Sequence, residues 1–207
     1  LASIDFKHKD WKVDVTVCGS QKGLLLPPGL SFNAISSKAL EAYKTSNLPK
    51  SFWDWKPMLE MNKDGFFPFT PATNLFYGLD EALNMLMEEG LENVLARHSR
   101  HAEATRSAVK EWLEILCKKP EEYSNSLTAV MVPEGHDADA LRKVVLDNYN
   151  MALGMGLNKI KGKVFRIGHL GDFNDLMLAG TLAGVEMGLK KSGIPHKAGG
   201  VMKALDF

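Results

Sequence analysis

The first apolar pattern along the chain has a period of two: Val13, Val15 and Val17 alternate with Asp14 and Thr16, which predicts a short strand closed by Gly19. Leu30-Ser31-Phe32-Asn33-Ala34-Ile35 predicts a second strand, and Ser36 or Ser37 is placed to cap a helix through Ala39, Leu40, Ala42 and Tyr43. No period fits residues 46–73. Pro49, Pro57, Pro68 and Pro71 are interleaved there with Trp53, Trp55, Phe66, Phe67 and Phe69, too apolar for a linker and too rich in proline for a helix or central strand. An ordered, functional loop is expected.

From Thr73 or Asn74 the spacing becomes helical. Leu75, Leu79, Leu83 and Leu86 mark one helix, which Gly90 stops. A second stripe, through Leu91, Val94, Leu95, His98, Ala102, Thr105, Val109, Trp112, Leu113 and Leu116, predicts a single helix of about seven turns. A helix of that length bridges two domains, and the boundary is expected at about Leu116, giving domains 1–116 and 117–207. The second domain reads as strand 127–132, helix 137–149, strand 164–168 and helix 174–190, a two-layer α/β unit with its own core.

The 207 residues, 45% of them hydrophobic, are enough to bury a core. Twenty-five basic residues balance twenty-five acidic ones, so no global field attracts nucleic acid or an anionic membrane. No apolar run approaches the roughly 20 residues of a membrane span. Cys18 and Cys117 are too far apart in sequence to read as a disulfide framework or a metal pair, which fits a reducing compartment, the cytoplasm by default. The chain starts at Leu1 and reads as entering in mid-element, so a truncated sequence is expected.

Candidate chemistry starts at Cys18-Gly19-Ser20-Gln21-Lys22-Gly23. A lysine after a strand is usually a solvated turn residue. Here the residues that follow are apolar through Pro28, so the alternative is an amine that loses solvation and acts as a nucleophile. Few cofactors need such an amine. Pyridoxal phosphate leads them: its aldehyde condenses with lysine, and its phosphate wants donors of the kind Ser20, Gln21 and Gly19 supply.

Arg166, amid Val164-Phe165-Arg166-Ile167-Gly168, either snorkels to the surface or fixes an anion, and its guanidinium fork suits a substrate carboxylate. Phe66-Phe67-Pro68-Phe69-Thr70-Pro71 is either a loop pinned by aromatics or, with Thr70 and nearby N–H groups at a helix start, a phosphate contact. His98 and His101 share a helix face but lack a cysteine or carboxylate ligand nearby, so packing or surface roles outrank a metal site. Gly154-Met155-Gly156 lacks a dinucleotide or P-loop fingerprint and reads as a mobile glycine loop.

Five segments in order carry a resemblance: Gly19-Ser20-Gln21-Lys22-Gly23-Leu24 with Pro27-Pro28-Gly29, Pro71-Ala72-Thr73-Asn74, Leu91-Glu92-Asn93, Pro133-Glu134-Gly135-His136-Asp137-Ala138, and Phe165-Arg166-Ile167-Gly168-His169-Leu170-Gly171. Together they resemble the serine–glyoxylate aminotransferases, of the class V, fold type I pyridoxal-phosphate enzymes. The likeness implies an α/β fold: the C-terminal part of the fold type I transferase, with the end of a large mainly parallel-sheet domain, a long interdomain helix and a small two-layer domain.

It further implies that Lys22 is the lysine covalently joined to the cofactor and that Gln21, with Ser20 beside it, binds the phosphate. Arg166 clamps the substrate carboxylate. Thr70 reaches across a homodimer interface to the cofactor phosphate of the partner subunit, so sites are shared. Phe67 departs from the family pattern: relatives often carry tyrosine there, and phenylalanine lacks the hydroxyl.

In this family the aspartate that pairs with the pyridinium nitrogen precedes the lysine by about 25 residues, further than Leu1 lies from Lys22, and neither Asp5 nor Asp14 matches its motif. The resemblance therefore implies about half of a subunit, inactive alone. The implied reaction is amino transfer from L-serine, an amino acid, to glyoxylate, a 2-oxo acid, giving hydroxypyruvate and glycine. Alternatives are alanine or ureidoglycine as donor, or a non-catalytic dimerisation fragment.

Overall fold

The computed structural model describes residues 1–206, and contacts divide them into two compact units. The first, Phe6–Glu88, is led by an antiparallel ribbon of β1 (Val15–Gly19) and β2 (Ser31–Ile35), with Cys18 opposite Phe32 and Gly19 opposite Ser31. Among the described residues of this unit, that antiparallel pair is the sheet present. Ser36 caps α1 (Ser37–Tyr43) by accepting from Ala39 N at 3.1 Å, and donates its own hydroxyl proton to Asp14 Oδ1 at 2.8 Å.

Residues 46–73 are more regular than their prolines suggested. A 3₁₀ turn (Ser51–Trp53) leads into α2 (Trp55–Asn62), capped by Asp54, which accepts from Lys56 N at 3.0 Å. Pro57 is the third residue of α2, within the first turn, where no intrahelical bond uses its missing N–H. The rest of the segment is the ordered loop expected. Asn62 Nδ2 donates to the Phe66 carbonyl at 2.8 Å, Phe67 stacks on Phe76 at 5.3 Å between centroids, and Phe69 meets Phe52 at 4.9 Å. Then α3 (Thr73–Glu89) follows its leucine spacing.

The second unit joins Leu1–Asp5 to residues 89–206. In α4 (Leu91–Trp112) the inward stripe is Val94, His98, Ala102, Thr105, Val109 and Trp112, all buried. The helix stops at Trp112, short of the expected Leu116. Leu113 turns extended (φ −151°, ψ −172°), and β3 (Glu114–Ile115) pairs with β4 (Leu127–Met131), so a ladder captures the last apolar positions. All of α4 groups with this unit, whereas the sequence placed the boundary at its far end. The helix buries its long face on later elements of the same unit, α6 (Asp175–Lys191) and α7 (Gly200–Ala204).

The remaining elements are α5 (Ala138–Tyr149), β5 (Gly154–Met155) and β6 (Val164–Gly168), in an antiparallel sheet ordered β3-β4-β6-β5. Gly154-Met155 is thus an edge strand, correcting the mobile loop expected from its glycines. Thr128 and Val130 of β4 stand opposite Ile167 and Phe165 of β6, all buried in the helical layer, each large apolar side chain worth about 2 kcal/mol in transfer free energy. Alternation then turns Arg166 to the other face. The short α7 carried no sequence signal. It forms because Glu186 accepts from Gly199 N at 2.5 Å and Val201 N at 3.1 Å while also holding the Trp112 indole N–H at 3.0 Å.

Histidines reinforce this unit in their neutral form. His169 is fully buried between Thr128 Oγ1 at 3.0 Å and the Asn125 carbonyl at 3.2 Å, and burial pushes its pKa down to about 4. A histidine whose folded pKa lies below its unfolded 6.5 contributes full stability above pH 6.5 and loses it as pH falls toward about 4. That displacement corresponds to about 3 kcal/mol. His98 and His101 are shifted the same way by burial. Urea midpoints should therefore fall as pH drops from 6.5 toward 4, and His169→Gln should flatten the slope. Midpoints constant over that window would contradict this.

Candidate active site

The turn that carries Lys22 is built around Ser20. Ser20 N donates to the Leu30 carbonyl at 3.0 Å, its carbonyl accepts from Leu26 N at 3.2 Å, and its hydroxyl donates to the Pro27 carbonyl at 2.7 Å while accepting from Leu30 N at 3.2 Å. Four bonds on one buried residue close residues 20–30 into a fixed loop. Leu25, N–H bonded to the Lys22 carbonyl at 3.1 Å, is held at φ 64°, a strained value for leucine that the surrounding bonds enforce. Gly29, at φ 145°, lies so close to α3 that a Cβ would be 2.4 Å from Leu75 Cδ1.

On this frame Gln21 and Lys22 are exposed. The expected burial of Lys22 by its apolar neighbours is not found: Leu26 turns inward instead and takes the burial itself. The Lys22 amine has no hydrogen-bond or ion-pair partner among the described residues. Ser20, expected among the phosphate donors, has its only hydroxyl proton committed to Pro27, so its role is to shape the turn. Asp14 is engaged by Lys38 at 2.9 Å and by Ser36, contacts that hold its carboxyl below the usual range. Thr70 is exposed in the same unit, within the loop walled by Phe66, Phe67, Phe69 and Phe76.

Arg166 belongs to the other unit. It lies half-buried on β6, opposite Ala129 of β4 and Gly154 of β5, and its Nε donates to the Met155 carbonyl at 2.9 Å. The loop after β6 is fastened to α4: Gly171 N donates to His98 Nε2 at 3.0 Å, and Arg97 Nη1 donates to the carbonyls of Gly171 and Phe173 at 2.9 and 3.1 Å. His98 must be neutral, because Nδ1 donates to Val94 O at 2.7 Å while Nε2 accepts. Glu89 grips Arg97 through both oxygens, which lowers the Glu89 pKa. Sequence reading passed over these supports. The histidines did fall on the buried stripe, which was their only signal.

The order and packing of these elements are those of the aminotransferases. The pyridoxamine-pyruvate aminotransferase of Mesorhizobium loti superposes with a TM-score of 0.90 at 30% identity, over 99% of this chain and 54% of that one. The chain belongs to the class-V aminotransferase family, whose profile matches residues 1–161. The serine–glyoxylate aminotransferase of Arabidopsis thaliana is 51% identical over 94% of this chain and 49% of its own length. The L-aspartate–glyoxylate aminotransferase of Paracoccus denitrificans is 44% identical over 96% of this chain and 50% of its own. The chain spans about half the length of the curated relatives it matches.

The family implies pyridoxal phosphate, and the donor set fits its aldehyde and phosphate ends. Lys22 offers an amine, Gln21 an exposed amide and Thr70 an exposed hydroxyl, and among the described residues no acidic side chain is bonded to any of them. Among the described residues, no cluster of histidine, cysteine, aspartate and glutamate is arranged to hold a metal ion, and no helix is long and apolar enough to cross a membrane.

Proposed function

We propose that this chain is the lysine- and arginine-bearing portion of an enzyme that moves the amino group of L-serine to glyoxylate, giving hydroxypyruvate and glycine. Pyridoxal phosphate, when bound, supplies an aldehyde that captures the amine and a ring that accepts the electrons of the Cα–H bond. The observation that carries the reading is the unpaired Lys22 amine on a turn that Ser20 and the strained Leu25 hold in one shape.

Lys22 would hold the cofactor through its amine and would carry the proton taken from the substrate Cα. Gln21 donates to the phosphate from the same turn. Thr70 donates to the phosphate of the partner subunit in a homodimer. Arg166 holds the carboxylate common to serine and glyoxylate, so one grip serves both half-reactions, and ping-pong kinetics follow. Free Cys18 and Cys117 accord with a cytoplasmic setting.

The donor is the part of this reading most open to a rival, since aspartate appears in the name of a relative at 44% identity and serine in that of one at 51%. Alanine, ureidoglycine and aspartate should be compared with serine on the protein translated from the full reading frame that encodes this chain. Serine should lead in kcat/KM by about tenfold or more, the low end of what a small side-chain difference between substrates gives. A lead for any other donor would overturn the serine assignment, and uptake of the cofactor without turnover of any donor would favour a dimerisation role.

A further inference from the structure

We propose that Gly154 and the Met155 carbonyl are positioning residues that aim Arg166 so that its two terminal nitrogens meet the substrate carboxylate end-on; this rests on the reading of Arg166 given above. In the sheet Arg166 stands between Ala129 on β4 and Gly154 on β5, and cross-strand partners share a face. A Cβ at position 154 would lie 3.0 Å from Arg166 Cβ, 3.2 Å from its Nε and 3.4 Å from its carbonyl oxygen. The absence of that one carbon lets the side chain lie along β5, where Nε donates to the Met155 carbonyl at 2.9 Å.

That bond selects among the faces of the guanidinium. A carboxylate can pair with the edge formed by Nε and one terminal nitrogen, or with the end formed by Nη1 and Nη2. Met155 takes the Nε proton, and neither terminal nitrogen has a partner among the described residues, so the end is the face left open. Donor and acceptor share the carboxylate and differ elsewhere. Position 154 therefore sets affinity for both substrates by the same factor and does not discriminate between them.

The test uses the protein translated from the full reading frame that encodes this chain, labelled with ¹⁵N, with the Arg166 side-chain signals assigned by their loss in Arg166→Lys. L-serine and glycolate, an unreactive stand-in for glyoxylate, are the probes. In the parent chain the Arg166 Nε–H should exchange slowly with solvent and stay unmoved while the terminal N–H signals shift with either probe. In Gly154→Ala the Nε–H should exchange about tenfold faster or more, and both probes should bind roughly tenfold more weakly, by a common factor. The Trp112 indole N–H, held by Glu186 at 3.0 Å in the same unit, reports whether the variant is folded. If the variant is not folded, the parent alone decides: an Nε–H that exchanges as fast as the terminal N–H groups overturns the proposal, and a slowly exchanging one that stays unmoved with both probes upholds it.

An Nε–H that moves with the probe in the parent chain, or a variant that binds both probes as well as the parent, would overturn the proposal while leaving Arg166 as the carboxylate group. Release of the Nε–H in Gly154→Ala with no response of Arg166 to either probe would instead show that the anchor exists and that the carboxylate reading is wrong.

Discussion

Lys22→Ala is expected to lower the rate of serine–glyoxylate transamination by about a thousandfold or more, with far smaller changes in stability. General acid–base help from a positioned side chain is worth about 10²–10⁴ in rate, and loss of the covalent attachment adds to that. No other amine stands in the turn: Gln21 and Ser20 on one side and Gly23 and Leu24 on the other carry none. The fold should not notice the change, because Lys22 is exposed and its amine has no partner among the described residues, while the bonds that close the loop belong to Ser20. Lys22→Arg keeps the charge but neither the nucleophile nor the proton carrier, and should be as inactive as alanine. Initial rates of hydroxypyruvate formation by the full reading-frame product, with pyridoxal phosphate added, check both variants. Activity of Lys22→Ala within about tenfold of the parent would remove Lys22 from the chemistry.

Gly156→Ala should destabilise the unit built from residues 89–206 by about 3 kcal/mol or more, at the upper end for overpacking. A Cβ there would lie 2.2 Å from the Ile160 carbonyl oxygen, 2.9 Å from the Ile160 carbonyl carbon and 2.9 Å from the Val164 carbonyl oxygen. All three atoms are backbone, so no rotamer change relieves the contact. The turn between Ile160 and Val164 is itself bonded, with Lys163 N donating to Ile160 O at 3.1 Å and Val132 N to Lys163 O at 3.0 Å. Chemical denaturation of the 207-residue chain should show a midpoint shifted well below that of the parent. Gly180→Ala is the control, because a Cβ at Gly180 meets nothing within 4 Å. Equal midpoints for the two variants would contradict the packing described here.

What the sequence revealed, and what it hid, follows from the range of the interactions involved. The helix stripe from Leu75 to Leu86, the helix over 174–190 and strand 164–168 were legible because each is fixed by neighbours a few residues away. Pro57 misled in the opposite direction: read as a breaker, it sits in the first turn of α2, where its lack of an N–H costs nothing. The strand at Gly154-Met155 was invisible because its partner, β6, is ten residues further on and a two-residue strand has no period. The end of α4 was missed because Leu113 and Leu116 continue a helical count, while the pairing of Ile115 with Val130 is non-local.

The site divides in the same way. Lys22, Gln21 and Arg166 were singled out as candidates by residue type and local context. The commitment of Ser20 to Pro27, the exposure of Lys22 and the clamp of Met155 on Arg166 depend on how loops fold back, which alternation and composition do not encode. One clue was available: a glycine pair flanking Met155 signalled close backbone approach, and reading it as mobility missed that two neighbours needed the space.

The central claim is that the Lys22 amine carries the cofactor. Borohydride reduction of the full reading-frame product in the presence of pyridoxal phosphate, followed by peptide mapping, tests it directly: the account predicts a single stable adduct, on Lys22. Modification of a different lysine, or of none, would contradict it.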